Sequence, residues 1–159
     1  MREISAGLIK DTVKGLFLEA NYQIGDDVMA ALVKAAETEA SPTGRSILGQ
    51  IIENDKIAAA RRVPMCQDTG MAVIFAQVGQ EVYISGGGFN DAINQGVREA
   101  YAEGYLRKSV VSDPLFDRIN TKDNCPAVIY TELVPGDKIH FTITCKGFGS
   151  ENMSRIQML

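Results

Sequence analysis

The sequence predicts an α+β fold, with a helical N-terminal region followed by a mostly antiparallel sheet of two hairpins with flanking helices. Apolar side chains recur at helical spacing through residues 4–61. Further along, apolar runs of strand length are separated by turns that contain glycine or proline. Because 159 residues suit one domain, we expect a single domain over residues 1–159. Within it, residues 1–62 form the helical part and residues 63–159 carry the sheet and the site loops.

Three helices are predicted in the N-terminal part, over Ile4–Ala20, Val28–Thr38 and Ser46–Arg61. Each has apolar residues three or four positions apart, which is typical of a helix with one buried face. Asp26 or Asp27 is expected to cap the second helix, because a carboxylate can accept the unpaired amides of a first turn. Residues 41–44, with the sequence Ser-Pro-Thr-Gly, are expected to separate the second helix from the third.

Two hairpins are predicted in the second part of the chain. The first joins Met71–Val78 to Glu81–Ser85, and the second joins Ala127–Val134 to Lys138–Cys145 across the turn Pro135-Gly136-Asp137. A helix over about residues 90–103 lies between them. These expectations make the sheet antiparallel.

Composition excludes several classes of protein. Hydrophobic residues make up 45% and charged residues 23% of the chain, which indicates a globular fold rather than disorder. Sixteen Lys and Arg against twenty Asp and Glu give a net charge of −4, so we expect no nucleic-acid partner. No apolar run approaches the roughly 20 residues that span a bilayer. The N-terminus carries acidic residues and lacks a secretory pattern, so we expect a cytoplasmic protein with no membrane partner.

The three cysteines are Cys66, Cys125 and Cys145, an odd and widely spaced set that indicates a reducing compartment. His140 is the only histidine. A closed zinc site built from this chain would therefore require all four of these residues to converge. The alternative is that His140 is an ordinary sheet-face residue and that Cys125 and Cys145 are structural.

The segment Cys66-Gln67-Asp68 carries the clearest potential for chemistry, since it places a soft metal ligand, an amide and a carboxylate in consecutive positions. It lies in a loop before an apolar strand, where functional groups are commonly presented. The alternative is a turn in which Asp68 and Thr69 bond backbone amides and Cys66 is a small core residue.

Two further segments are candidates for binding an anion. Lys146-Gly147-Phe148-Gly149 precedes a possible helix start at Ser150 or Asn152, and its glycines can turn backbone amides toward a negative charge. The alternative is a flexible connector. Arg107 can clamp a carboxylate through two parallel hydrogen bonds, or it can complement a helix end in solvent.

Four blocks of this sequence together resemble the α subunit of class I, iron–sulfur fumarate hydratase and its tartrate dehydratase relatives. They are RVPMCQDTGMAVIF (62–75), AINQGVREAYAEGYLRKSVVSDP (92–114), NTKDNCPAVIYTELVPGDKI (120–139) and KGFGSENMSRIQML (146–159). The blocks follow one another in the family's order. Four linked blocks are far more specific than a single glycine loop.

The resemblance implies a 4Fe–4S cluster held by three cysteines, with one iron open to act as a Lewis acid. It implies a reversible hydro-lyase that adds or removes water across the double bond of a four-carbon dicarboxylate, with fumarate and malate the expected pair. By match to the motif, Cys66 is the first cluster ligand. The other two ligands are expected beyond Leu159, because the family pattern places none at Cys125 or Cys145.

The resemblance also assigns the residues around the substrate. Asp68 is expected to be catalytic, within the network that handles the proton. The residues expected to contact substrate are Gln67, Asp68, Arg107, Gly147 and Gly149. One departure is Phe148, which stands where the family's loop has its middle glycine. If this residue approaches substrate, either its side chain turns away or the pocket is altered.

The family's α chains are longer than this one, and a β subunit or C-terminal domain completes their site. We therefore expect the sequence to be an N-terminal part of an α subunit, inactive by itself and assembled in an oligomer. Its glycine-rich ending with apolar residues after it favours the same interpretation; the alternative is a terminal helix docked by its apolar face. A second hypothesis is a non-catalytic folded module that assembles with a partner but holds no cluster.

Overall fold

A computed structural model describes residues 1–149 and 153–158. Its elements in chain order are β1 (Arg2–Ser5), α1 (Ala6–Tyr22), α2 (Asp26–Thr38), α3 (Pro42–Arg61), β2 (Met71–Gly79), β3 (Val82–Ser85), α4 (Phe89–Glu103), β4 (Val128–Val134) and β5 (Ile139–Lys146). The α+β class with a helical N-terminal region is confirmed. The expected helix start at Ser150 or Asn152 lies outside the described residues.

The strands form two sheets of mixed direction. In the larger sheet the order is β4-β2-β5, with β2 parallel to β4 and antiparallel to β5. In the smaller sheet β1 and β3 pair in parallel, with Ile4 opposite Ile84. The prediction of a mostly antiparallel sheet is thus corrected to a mixed one.

Neither predicted hairpin forms as a paired unit. Strand β2 lies between β4 and β5, so both of its edges are occupied and β3 pairs with β1 instead. The predicted turn at 135–137 is present, but it wraps around the end of β2. Gly79 and Gln80 donate their amides to the carbonyls of Lys138 at 2.8 Å and Val134 at 2.9 Å. A turn signal fixes where two strands are joined, whereas a third strand can still separate them.

Gly79 makes this arrangement possible. A Cβ added there would lie 2.3 Å from the carbonyl oxygen of Gly136. The turn can therefore close over the end of β2 only because residue 79 has no side chain.

The first helix begins later than its apolar spacing predicts. Ile4 belongs to β1, where its side chain is buried, and Ser5 caps α1 by accepting the Leu8 amide at 3.1 Å. The spacing of Ile4 suits the helix, but its pairing with β3 places it in a strand.

The starts of α2 and α3 also differ from the prediction. Gly25 is the N-cap of α2, while Asp26 and Asp27 lie in the first turn, where negative charge favours the helix dipole. Ser41 caps α3 and Pro42 occupies its first turn, so residues 41–44 begin this helix, whereas α2 has already ended at Thr38. Serine followed by proline is a start signal as much as a break.

Helices α1 and α4 share one core with the inner face of the larger sheet. The rings of Phe17 and Tyr101 lie 6.4 Å apart between centroids. Gly96 allows the two helices to approach closely, since a Cβ there would lie 2.5 Å from the carbonyl oxygen of Lys10. The side chains buried in this core include Ile9, Val13, Phe17, Ala72, Ile74, Ile93, Val97 and Tyr101.

The outer face of the larger sheet is exposed. Phe75 and Tyr130 stack there with ring centroids 5.1 Å apart, and His140 lies on the same face opposite Gln77. The interpretation of His140 as a sheet-face residue fits this position. Among the described residues, no helix is long and apolar enough to cross a bilayer.

We predict that Gly79→Ala lowers the free energy of unfolding by about 1–3 kcal/mol, because the added methyl group meets the backbone at Gly136. Gly15→Ala is the matched control: it lies within α1 with no atom within 4 Å of the added Cβ, and it should stabilise the chain by about 0.5–1 kcal/mol. Urea unfolding followed by circular dichroism measures both. Equal midpoints for Gly79→Ala and the unmodified chain would contradict the proposed wrapping of β2.

Candidate active site

Three loops meet at the end of the larger sheet where β2 begins and β5 ends. Because Met71 pairs with Lys146, the loop before β2 and the loop after β5 are neighbours. We call residues 64–70 the thiol loop, residues 147–149 the glycine loop and residues 105–110 the arginine segment. The hydroxyl of Thr69 donates to the Arg107 carbonyl at 3.2 Å, which joins the thiol loop to the arginine segment.

Cys66, Gln67 and Arg107 line one open cleft of about 430 Å³, together with Pro64, Thr69 and Tyr105. The Cys66 thiol is exposed, and its sulfur accepts the Asp68 amide at 3.5 Å. Residues 41 positions apart in the chain therefore present a thiol, an amide and a guanidinium to the same space. Of the two interpretations of the Cys66 segment, the structure excludes that of a buried core cysteine.

Asp68 connects the thiol loop, to which it belongs, with the glycine loop. Its Oδ2 accepts the amide of Phe148 at 3.3 Å. A Cβ at Gly147 would lie 2.7 Å from the same oxygen, whereas one at Gly149 would lie 3.9 Å away in ordinary contact. A side chain at position 147 would therefore displace the Asp68 carboxylate. One amide of the expected anion loop, that of Phe148, faces a carboxylate of the chain itself.

Gly70 permits the approach of the two loops. Its φ of +66° is in the left-handed region, and an added Cβ would lie 2.5 Å from the Lys146 carbonyl carbon. The Phe148 ring of the glycine loop contacts the end of β5. The Lys146 ammonium lies 4.9 Å from the centroid of this ring, a cation–π contact.

Buried polar side chains beneath the cleft hold the thiol loop in place. The Tyr101 hydroxyl donates to the carbonyls of Thr69 at 2.7 Å and Gly70 at 3.1 Å. Burial raises the pKa of Tyr101 far above its ordinary value, so the hydroxyl keeps its proton and remains a donor. Asn124 is fully buried and donates to the Gly70 carbonyl at 3.1 Å.

Sequence reasoning missed these supporting residues and also Tyr105, whose ring lines the cleft. Tyr101 follows the helical spacing of the apolar residues of α4. The sequence pattern therefore predicts a core residue and gives no indication that its hydroxyl bonds the thiol loop. Asn124 lies in a polar stretch whose composition predicts an exposed turn. The feature that distinguishes Tyr105 and Asn124 is a left-handed backbone, with φ values of +53° and +61°. The sequence does not show this conformation.

The other two cysteines lie away from the cleft. Burial raises the pKa of Cys125 and of Cys145 to about 11 each. The sulfur of Cys145 accepts the Asn21 side-chain amide at 3.1 Å, and Cys125 donates to the Asn94 carbonyl at 3.4 Å. His140 is on the opposite, exposed face of the sheet. The four-residue zinc site is not formed, and in residues 1–149 and 153–158 no three His, Cys, Asp or Glu side chains gather to hold a metal.

The family model described as "Fumarate hydratase (Fumerase)" matches residues 10–159. The chain belongs to the fumarate hydratase family. The resemblance expected from the four sequence blocks is thereby confirmed.

Curated relatives of this fumarate hydratase family chain carry related names. It is 36% identical over 155 residues to a Methanocaldococcus jannaschii protein named "Putative L(+)-tartrate dehydratase subunit alpha", covering 95% of this chain and 54% of the relative. It is 38% identical over 117 residues to "Fumarate hydratase class I, anaerobic" of Escherichia coli, covering 73% of this chain and 21% of that protein. "Fumarate hydratase 2" of Leishmania major is 36% identical over 117 residues. The chain thus spans about half the length of the first relative and about a fifth of the second.

We predict that iodoacetamide at pH 8 modifies Cys66 alone in the folded chain. Cys66 is exposed, whereas a thiol of pKa about 11 is only about 0.1% thiolate at that pH, and the thiolate is the nucleophile. Mass spectrometry of tryptic peptides should find one modified site, none in Cys66→Ser, and three after denaturation. Modification of Cys125 or Cys145 at the rate of Cys66 in the folded state would contradict the structure.

Proposed function

We propose that this chain supplies one side of a hydro-lyase active site that reversibly hydrates a four-carbon dicarboxylate, fumarate to malate being the expected reaction. The observation that carries the proposal is the meeting of Cys66, Gln67 and Arg107 in one cleft, beside Asp68. Membership of the fumarate hydratase family supports the reaction class. The tartrate dehydratase name of one relative makes tartrate the alternative substrate to test.

Cys66 fits the role of one ligand to an iron–sulfur cluster, because its thiol is exposed, faces an open cleft and has no disulfide partner. Cys125 and Cys145 do not fit that role, because both are withdrawn from the cleft and bonded elsewhere. The remaining ligands are therefore proposed to come from a segment beyond Leu159 or from a partner. When bound, such a cluster supplies a Lewis acid for a substrate oxygen.

Arg107 is proposed to bind one carboxylate of the substrate. A guanidinium suits a carboxylate because its paired N–H groups match the two oxygens. Cys66 and Arg107 line the same cleft, so a carboxylate bound to Arg107 would share that cleft with the thiol. Gln67 can donate to the same carboxylate or accept from a substrate hydroxyl. Gly147 and Gly149 are proposed to line the pocket with backbone amides and without side-chain bulk.

Asp68 is proposed to handle the proton. The Phe148 amide donates to its Oδ2 and thereby orients the carboxylate, which would take or return a proton as water is added or removed. The hydroxyl of water joins one carbon of the double bond and a proton joins the other, so nothing further is consumed. Asp68 would act in concert with groups that a β subunit or C-terminal domain contributes.

Exposed apolar side chains in the stretch that follows α4 support a protein partner. Tyr105, Leu115, Phe116 and Ile119 are each more than 60% exposed. Several large apolar side chains exposed within one stretch of chain favour an interface. The same observation supports the second hypothesis, a non-catalytic assembly module, which differs in predicting no bound iron.

We predict that Cys66→Ser removes most of the bound iron and most of the activity from the assembled enzyme that contains this chain. Serine lacks the soft thiolate that iron–sulfur centres require. Cys125→Ser is the matched control and should keep both iron and activity. Iron and sulfide analysis measures the bound cluster, and a fumarate hydration assay measures the activity. Unchanged iron in Cys66→Ser would refute the assignment of Cys66 as a ligand.

We predict that Arg107→Ala raises the KM for fumarate about 10- to 150-fold with iron content unchanged, because a hydrogen bond to a charged group contributes about 1.5–3 kcal/mol. Lys108→Ala is the control, since this neighbouring cation does not line the cleft. Steady-state kinetics with iron analysis of the same samples measures the effect. A loss of rate that matches a loss of iron would contradict a carboxylate clamp.

A further inference from the structure

Asn124 is a buried polar residue that forms hydrogen bonds through both the oxygen and the nitrogen of its side-chain amide. It is 0% exposed, and its Oδ1 accepts the amides of Ser109 at 2.9 Å and Val110 at 3.1 Å. Its Nδ2 donates to the Gly70 carbonyl at 3.1 Å. A buried group bonded in this way is held rigidly, because breaking any of the bonds leaves a polar atom without water or a partner.

The three bonds join the ends of two loops that carry the candidate site. Gly70 closes the thiol loop that bears Cys66, Gln67 and Asp68, and Ser109 and Val110 close the arginine segment. The two loops are far apart in sequence, so the distance between them in the fold depends on the side chains packed between them. Asn124 lies between them and bonds to both.

A second bridge acts alongside the first. The Thr69 hydroxyl donates to the Arg107 carbonyl at 3.2 Å, directly from the thiol loop to the arginine segment. Thr69 is buried as well. The thiol loop is therefore fixed against the arginine segment at two adjacent positions, Thr69 and Gly70.

The requirement at position 124 is specific to asparagine. The residue needs an acceptor for two amides, a donor for one carbonyl and a left-handed backbone, since its φ is +61°. Asparagine adopts that conformation more readily than most residues. Aspartate keeps the shape and the acceptor but, when ionised, has no proton to give to Gly70.

We propose that Asn124 is a positioning residue of the hydro-lyase site, which sets the distance between Arg107 and the loop of Cys66, Gln67 and Asp68. The inference rests on the proposed function, since it concerns where a substrate carboxylate and the reacting carbons sit relative to each other. Asn124 acts through these residues and touches no substrate itself.

The test compares Asn124→Asp with Asn94→Asp in the assembled enzyme. Asn94 makes the same kinds of bond, from Nδ2 to the Asn90 carbonyl and from the Ala127 amide to Oδ1, but it holds no site loop. Thr69→Val is the second variant, because it removes only the hydroxyl of the other bridge. It keeps the proposal testable if Asn124→Asp does not fold.

We expect Asn124→Asp and Thr69→Val each to raise the KM for fumarate about 10- to 100-fold with kcat and iron nearly unchanged, because a small displacement of a binding group has effects of this size. Asn94→Asp should leave KM unchanged. A fall in kcat that follows iron content, with KM unchanged in both variants, would overturn the proposal and leave Asn124 with a structural role only.

Amide hydrogen exchange separates this inference from the proposed function. In Asn124→Asp the bonds to Ser109 and Val110 are retained, yet peptides covering both 64–72 and 105–111 should exchange faster together, since each loop restrains the other. This readout needs no substrate, so it holds even if wild-type enzyme turns over neither fumarate nor tartrate. Faster exchange confined to 64–72 would overturn the coupling.

Discussion

The pairing of β2 on both edges is the constraint from which the rest of the structure follows. With β4 on one side and β5 on the other, β2 is fixed at the centre of the larger sheet. Its first residue lies beside the last residue of β5, so the loops outside both strands have to share one space. The candidate site is in this sense a consequence of strand order.

Buried side chains hold the site loops through hydrogen bonds. Tyr101 and Asn124 bond loop carbonyls from within the core, and Thr69 bonds from the thiol loop to the Arg107 carbonyl. The ion pairs found among residues 1–149 and 153–158, such as Lys14 with Glu103 at 3.3 Å, lie at the surface, where solvent screens them. Buried hydrogen bonds are stronger in the low dielectric of the interior, and they fix direction as well as distance. Both effects keep the loops of the candidate site in a defined position.

The three cysteines show how environment assigns roles to identical side chains. Cys66 is exposed in a loop at the cleft, whereas burial raises the pKa of Cys125 and Cys145 to about 11. Exposure leaves the Cys66 thiol accessible from solvent, whereas burial keeps the thiols of Cys125 and Cys145 protonated. Their count and spacing in the sequence could not distinguish these roles.

The sequence by itself determined that four helices are present up to Glu103, that the segment Cys66-Gln67-Asp68 carries potential for chemistry and that the chain belongs to the fumarate hydratase family. Local spacing, capping residues and linked motifs are short-range signals, and these suffice for such features. Only the tertiary structure decided that β2 separates β4 from β5, that Ile4 lies in a strand and that Asn124 is buried between two site loops. Each of these depends on contacts between residues distant in the chain, where the energy of pairing and burial outweighs local preference.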